Sequence, residues 1–118
     1  MSSDPAELLD AAARAKLEKV LGLLAEERAS VSSVVDERAW QVHVVDSLTG
    51  LEAPALREAG RIADVGAGAG FPGLVLALAL PRAQVDLIES ARRKTAVVDR
   101  LMQAGQIRNA RSITGRVD

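Results

Sequence analysis

Residues 64–73 read Asp64-Val65-Gly66-Ala67-Gly68-Ala69-Gly70-Phe71-Pro72-Gly73. They end a short run, residues 61–65, that is typical of a strand, and they lead into the apolar residues 74–80, which Pro81 ends. Glycine at every second position lets the backbone turn sharply and lets a ligand approach without hindrance from side chains. The stretch therefore predicts a strand, a glycine loop and a helix in direct succession.

The alternation of strand and helix continues to the end of the chain. Residues 83–88 and 110–113 predict two further strands, and residues 91–104 predict a helix between them, with Gly105 as its C′ residue. Strand, helix, strand, helix, strand is the first half of a doubly wound, Rossmann-like α/β fold with a parallel sheet. Residues 61–118 are therefore expected to form the first half of such a domain, with the C-terminal half absent.

Residues 1–60 are expected to form a helical cap in front of the sheet. The order Asp-Pro-Ala-Glu at residues 4–7 predicts a capped helix start, and this helix is expected to end before Ser30. Its packed face is predicted by apolar residues spaced three and four apart: Leu9, Ala13, Leu17, Val20, Leu21 and Leu24. Asp36 predicts the start of a second helix. The apolar face of that helix consists of Trp40, Val44, Leu48 and Leu51.

The composition indicates one soluble domain and excludes several kinds of site. The chain has 118 residues, no cysteine and one histidine, which excludes disulfides, thiolate metal sites and histidine-rich metal sites. No uncharged apolar run is long enough to cross a bilayer, and the first residues lack the order of a secretory signal, so a cytoplasmic location is expected. The net charge of −1 means that an RNA partner would have to be met by a local basic patch.

Two classes of cofactor use glycine loops of this kind. Residues 68–73 satisfy the dinucleotide pattern G-x-G-x-x-G, but Pro72 has no N–H for a pyrophosphate and Asp64 would repel its phosphates. Read from Asp64, the loop is D-x-G-x-G-x-G, a pattern typical of class I methyltransferases. That loop receives the methionyl part and the ribose of S-adenosylmethionine, whose ammonium and sulfonium groups are cationic. Charge therefore favours the methyl donor.

A second carboxylate follows the second predicted strand. Glu89 lies 23 residues after Gly66, where a Rossmann-type fold presents an acid to the two hydroxyls of a ribose. The other interpretation of Glu89 is a solvated carboxylate in front of Ser90, which would then cap the next helix. The other interpretation of Asp64 is a strand-end residue that only caps the turn.

Four short motifs of the chain occur together in one enzyme family. The loop ends in Phe-Pro-Gly, residues 43–48 read H-x-x-D-S-L, and Glu89-Ser90 is followed by the basic pair Arg93-Lys94. Residues 115–118 read Gly-Arg-Val-Asp, close to the family's G-R-A-E. From about Val31 to its end, the chain resembles the bacterial small-subunit rRNA guanine-N7 methyltransferases, also called glucose-inhibited division protein B.

The resemblance implies S-adenosylmethionine as the methyl donor and N7 of one guanine in 16S rRNA as the acceptor. The implied cofactor-binding residues are Asp64, Gly66, Gly68, Gly70, Phe71, Glu89, Ser90, Val117 and Asp118, with the glycines and Phe71 at the methionine end, Glu89 at the ribose and the last two at the adenine. The implied substrate-facing residues are His43, Arg93, Lys94 and Arg116. A packed histidine and solvated basic side chains are the other interpretations of this second set.

Other features of the chain depart from the family. Residues 31–33 read Val-Ser-Ser where the family has an Asn-Leu-Thr-like stretch, and Val42 stands where a basic residue is common. The family continues with further strands, which build the acceptor pocket. We therefore expect this chain to bind the donor without methylating RNA by itself, to contact RNA weakly and in a salt-dependent manner, and to associate with itself or a second chain through an unpaired sheet edge. The alternatives are a non-catalytic module that binds S-adenosylmethionine or a nucleoside, and a fragment of a nicotinamide-dependent oxidoreductase.

Overall fold

The computed structural model describes residues 9–29 and 37–116. The N-terminal helices are α1 (Ala11–Ala29), α2 (Glu37–Ala39), α3 (Asp46–Leu48) and α4 (Pro54–Arg57), with a π-helical segment, Trp40–Val45, between α2 and α3 and a 3₁₀ turn, Thr49–Glu52, after α3. The α/β part consists of β1 (Arg61–Val65), α5 (Gly73–Ala79), β2 (Gln84–Glu89), α6 (Arg92–Gly105) and β3 (Ala110–Thr114). The order of strands and helices predicted after residue 60 is confirmed. The single helix predicted to carry Trp40, Val44, Leu48 and Leu51 is instead divided into α2, the π-helical segment, α3 and the 3₁₀ turn, and α4 was not predicted.

The three strands form one parallel sheet in the order β1-β2-β3. The register pairs Ile62 with Val85 and Val85 with Ala110. Because all strands point the same way, their carboxyl ends and the loops that follow them meet at one edge of the sheet. The α/β fold class predicted from the sequence is confirmed. In the described part of the chain, no helix has the length and the hydrophobicity that crossing a membrane requires.

One hydrophobic core joins the N-terminal helices to the sheet. All six residues of the predicted α1 stripe are buried, and they belong to the same cluster as Leu87 of β2 and Leu101 of α6. An ion pair crosses from α6 to α1, with Arg100 Nε 2.7 Å from Glu27 Oε1. The division into two units at residue 60 stays a prediction, since both sides of it contribute to this core.

One local prediction is wrong, and two others fall outside the described residues. Gly105 is not the C′ residue of the helix but the last residue of α6, and the left-handed backbone, with φ of 51°, falls on Gln106. A Cβ atom on Gly105 would lie 2.7 Å from Val20 Cγ2, so the glycine allows α6 to pack closely on α1. The predicted helix start at residues 4–7 lies outside the described residues, as does Asp36. The described helix α1 begins after Asp10, whose Oδ1 accepts a hydrogen bond of 2.7 Å from the Ala13 N–H.

The two faces of the sheet differ in how far they are covered. Ile62, Val85 and Leu87 face α5 and α6 and are buried. On the opposite face Val65 is 62% exposed, and an ion cluster crosses the three strands. Asp86 Oδ1 lies 2.8 Å from Arg111 Nε, and Asp86 Oδ2 lies 3.4 Å from Arg61 Nη2. Parallel sheets are usually covered on both faces. Within the described residues β1 pairs with β2 alone.

If this chain associates with itself through the edge of β1, replacing Val65 with lysine is expected to reduce the association. An edge strand with apolar side chains recruits another strand, and a lysine on the edge opposes that pairing. Analytical ultracentrifugation over a concentration series measures the effect, which we expect to be about tenfold or more in the association constant. Val42→Lys is the matched control, because Val42 is also an exposed valine (51%) but lies in the helical part. Equal association of both variants and the unmodified chain would contradict the prediction.

Candidate functional site

The glycine loop has the backbone that its sequence predicts. Gly66, Gly68 and Gly70 have positive φ angles of 73°, 56° and 95°, which residues with side chains adopt only with strain. The N–H groups of Gly66 and Ala67 both donate to the Ile88 carbonyl, at 2.8 and 3.1 Å. The loop therefore folds from the end of β1 over the end of β2.

Glu89, the last residue of β2, fastens the loop to the sheet. It is only 8% exposed, so its interpretation as a solvated carboxylate is wrong. Its Oε1 accepts the Gly68 N–H at 3.1 Å, and its Oε2 accepts the Ala91 N–H at 2.9 Å and the Ser90 hydroxyl at 3.4 Å. The hydrogen bonds from Ala91 and Gly68 hold the pKa of Glu89 below its ordinary value, so the carboxylate stays charged. Ser90 bonds to Glu89 and does not cap α6.

Asp64 fastens the other end of the loop. Its Oδ2 accepts the Gly73 N–H at 3.1 Å, which ties β1 to the first residue of α5. Asp64 thus caps the turn, and its predicted role in cofactor binding stays a prediction. Burial raises the pKa of Asp64, and the hydrogen bond from Gly73 opposes that rise.

A cleft of about 290 Å³ opens at the carboxyl ends of the strands. Its lining consists of Val65, Gly66, Ile88, Glu89, Ser90, Gly115 and Arg116. Ligands of open α/β sheets bind outside the carboxyl ends of the strands, so this is the place where a cofactor is expected. The fold thus brings together four residues predicted from sequence: Gly66, Glu89, Ser90 and Arg116.

Three residues that line the cleft were not predicted as site residues from the sequence. Gly115 was not among the predicted site residues, although its place in the Gly-Arg-Val-Asp motif is a signal for it. Val65 and Ile88 were also missed, since nothing in their apolar character marks a site.

Gly70 is buried, and a Cβ atom there would lie 2.7 Å from Leu74 Cδ1, so the glycine at this position allows α5 to pack closely on the loop. Val117 and Asp118 lie outside the described residues.

The predicted substrate-facing residues occupy different surroundings. His43 is half-buried in the π-helical segment, and its ring centroid lies 4.9 Å from that of Phe71 in the loop. Arg93 and Lys94 are exposed in the first turn of α6, where Lys94 contributes to lowering the pKa of Glu89. Together with Arg116, they supply cationic side chains at the carboxyl end of the sheet.

A known protein family matches almost the whole chain. The sequence model of the family described as "GidB: rRNA small subunit methyltransferase G" matches residues 15–118. The chain belongs to the GidB family. The resemblance stated from the loop and its accompanying motifs is therefore confirmed.

Curated members of the GidB family are longer than this chain. The ribosomal RNA small subunit methyltransferase G of Gloeobacter violaceus is 43% identical over 82 residues, which cover 70% of this chain and 33% of that protein. The protein of the same name from Moorella thermoacetica is 31% identical over 107 residues, covering 88% of this chain and 45% of the relative. The chain thus spans between a third and a half of the length of these two relatives.

A solved structure shares the fold. A protein-L-isoaspartate O-methyltransferase superposes on 60% of this chain and 23% of its own, with a TM-score of 0.52 and 19% sequence identity. At this identity the likeness concerns the fold alone. It confirms the Rossmann-like methyltransferase fold class of this GidB-family chain.

Proposed function

We propose that this chain carries the donor-binding part of an S-adenosylmethionine-dependent methyltransferase whose acceptor is N7 of a guanine in 16S rRNA. The observation that carries the proposal is the glycine loop bonded to Glu89 beside the cleft at the carboxyl ends of the strands. Membership of the GidB family, described as an rRNA small subunit methyltransferase, supports the choice of acceptor.

Glu89 is the residue that we assign to the donor's ribose. Its carboxylate accepts three hydrogen bonds from Gly68, Ser90 and Ala91, whereas two carboxylate oxygens have room for about four. The longest of the three, from Ser90 at 3.4 Å, is the weakest and the easiest to exchange for a ribose hydroxyl. Gly66 lines the cleft without a side chain, which leaves space for the ligand beside this carboxylate.

We assign to the protein the positioning of the guanine, since N7 of guanine already has a free lone pair and needs no activation. When bound, S-adenosylmethionine supplies a methyl group, which passes from sulfur to N7 while the electron pair of the broken bond stays on sulfur as S-adenosylhomocysteine. No proton has to be moved in this step, so a general base is not required. Holding the guanine in line with the sulfonium methyl then provides most of the rate enhancement. Arg93, Lys94 and Arg116 are the side chains that we assign to the RNA backbone.

A thermal-shift comparison with S-adenosylhomocysteine, NAD and NADP tests the proposed cofactor. A ligand that binds only the folded chain stabilises it by about 2.7 kcal/mol at a hundred times its Kd, so the unfolding midpoint should rise by several degrees. We expect the rise with S-adenosylhomocysteine alone. A rise with NAD or NADP alone would favour the oxidoreductase alternative and contradict the proposal.

Filter binding to small-subunit particles that lack the modification tests the proposed acceptor. We expect weak binding that falls steeply with salt, because cationic side chains on phosphates release counterions. A methyl-transfer assay on the same particles is expected to give no turnover by this chain alone. Donor binding without any affinity for the particles would favour a non-catalytic donor-binding module.

Replacing Asp64 with asparagine is expected to stabilise the chain at neutral pH and to weaken donor binding. The pKa of Asp64 is raised by burial, so the folded state binds the proton more tightly than the unfolded state and loses stability as the pH rises through the carboxyl's titration. Asparagine keeps an acceptor for the Gly73 N–H and removes the buried charge. Unfolding followed by circular dichroism should show a midpoint that is higher by a few degrees at neutral pH, with the difference vanishing at acidic pH.

Ligand binding by the same variant tests whether the charge of Asp64 contributes to the affinity for the donor. If the Asp64 carboxylate attracts the cationic donor, Asp64→Asn should weaken S-adenosylmethionine more than S-adenosylhomocysteine, since only the former carries the sulfonium charge. Calorimetry with both ligands measures the two losses. Equal affinities for the variant and the unmodified chain would restrict Asp64 to capping the turn.

A further inference from the structure

A ring contact links the N-terminal helices to the glycine loop. The rings of His43 and Phe71 are tilted by 34°, and their centroids lie 4.9 Å apart, within the distance range of favourable aromatic pairs. Both residues are half-buried. His43 lies in the π-helical segment Trp40–Val45, a wider turn that is rare in proteins and is often found at functional sites.

The backbone that carries His43 is held in place from several sides. The Ser47 hydroxyl donates to the His43 carbonyl. Val44 and Leu48, each of which directly follows one of the two bonded residues in the sequence, are almost fully buried. At the start of the segment, the Arg14 guanidinium lies 4.3 Å above the ring of Trp40, which attaches the segment to α1. These contacts hold the backbone of the segment and thereby fix the position of His43.

Phe71 lies in the part of the loop between its two carboxylate attachments. Glu89 holds the Gly68 N–H before it, and Asp64 holds the Gly73 N–H after it. Gly70, directly before Phe71, has a φ of 95°, a backbone angle that costs glycine little and therefore does not lock the loop by itself. The contact with His43 adds a side-chain attachment between these two, on the part of the loop that follows the backbone bonds from Gly66 and Ala67 to Ile88.

We propose that His43 is a positioning residue, whose ring acts through Phe71 to hold the glycine loop in the shape that receives the methyl donor. This inference rests on the proposed function, since the benefit of a held loop is tighter binding of the donor. It assigns to His43 a role on the donor side, in place of the contact with the RNA acceptor that the family resemblance implies. The contact with Phe71 depends on an aromatic ring at position 43, and a phenylalanine there should retain it.

Four forms of the chain test this role: the unmodified chain, His43→Ala, His43→Phe and Gln41→Ala. Gln41 is the matched control because it lies in the same π-helical segment with an exposed side chain. Amide hydrogen exchange of Gly68 and Gly70, measured without ligand, reports the loop itself, and calorimetry reports the Kd of S-adenosylhomocysteine. His43→Ala is expected to speed exchange at both glycines and to weaken binding about three- to tenfold. His43→Phe should restore both values, and Gln41→Ala should leave both unchanged.

The outcomes separate this inference from the proposed function. If the unmodified chain binds no S-adenosylhomocysteine, the proposed function fails, whereas the exchange rates still show whether His43 holds the loop. Unchanged exchange and unchanged Kd in His43→Ala overturn the inference, as does a His43→Phe variant that behaves like His43→Ala. If His43→Ala does not fold, His43→Leu takes its place, since leucine fills the space without an aromatic ring. Leucine should then loosen the loop where phenylalanine does not, and equal behaviour of the two would overturn the inference.

Discussion

Replacing Glu89 with glutamine is expected to weaken S-adenosylhomocysteine binding about tenfold or more, the largest effect on affinity that we expect from one substitution. The carboxylate accepts hydrogen bonds from Gly68, Ser90 and Ala91, and we assign it also to the ribose. Glutamine offers one acceptor oxygen and turns an N–H₂ group towards donors, so it cannot satisfy the loop and the ribose together. Calorimetry on the folded variant measures the loss.

The matched control for this experiment is Asp86→Asn. Asp86 lies on the same strand as Glu89 but on the opposite face of the sheet, where it pairs with Arg111 and Arg61. Removing its charge should leave donor affinity unchanged. Because hydrogen bonds lower the pKa of Glu89, its stabilising contribution is present above the titration range of the unfolded chain and is lost as the pH falls through the folded value. A Glu89→Gln variant that binds as tightly as the unmodified chain would contradict the ribose assignment.

Local patterns in the sequence predicted the sheet and the loop well. The bounds predicted for β1 agree with the structure, and the other strands and the helices between them differ by about one residue. The glycines at 66, 68 and 70 have the positive φ angles that a sharp turn after a strand requires. These features depend on residues that are neighbours in the sequence, and for that reason a pattern within a short window is enough to predict them.

Features that depend on distant residues were not predictable in the same way. Gly105 was expected at a helix end because glycine is common there, but its close approach to Val20 arises only when α6 packs on α1. The contact between His43 and Phe71 joins residues 28 positions apart, and no spacing rule in the sequence indicates it. The π-helical turn that carries His43 also has no sequence signal of its own. Glu89 was predicted as a ligand residue, but its hydrogen bonds to the loop follow from the way the loop folds over β2.

Gly73 shows how closely the loop and the sheet approach each other. It is the first residue of α5 and is buried. A Cβ atom at this position would lie 2.2 Å from Leu87 Cδ2 and 2.9 Å from Asp64 Oδ2, distances at which atoms overlap. Leu87 is itself almost fully buried, so it has little space into which it can move. Any side chain at position 73 would therefore push α5 away from the sheet and strain the bond that Asp64 makes to the loop.

Gly73→Ala is accordingly expected to destabilise the chain by about 2 kcal/mol, which corresponds to a fall of roughly 10 °C in the unfolding midpoint of a domain of this size. The direction of the change in stability is informative, because replacing glycine by alanine in a helix ordinarily stabilises the helix by about 0.5–1 kcal/mol. Gly60→Ala is the matched control, since a Cβ atom on Gly60 meets nothing within 4 Å. Thermal unfolding followed by circular dichroism should show the loss for Gly73→Ala and little change for Gly60→Ala. A Gly73→Ala variant as stable as the unmodified chain would mean that β2 and α5 lie farther apart than the structure places them.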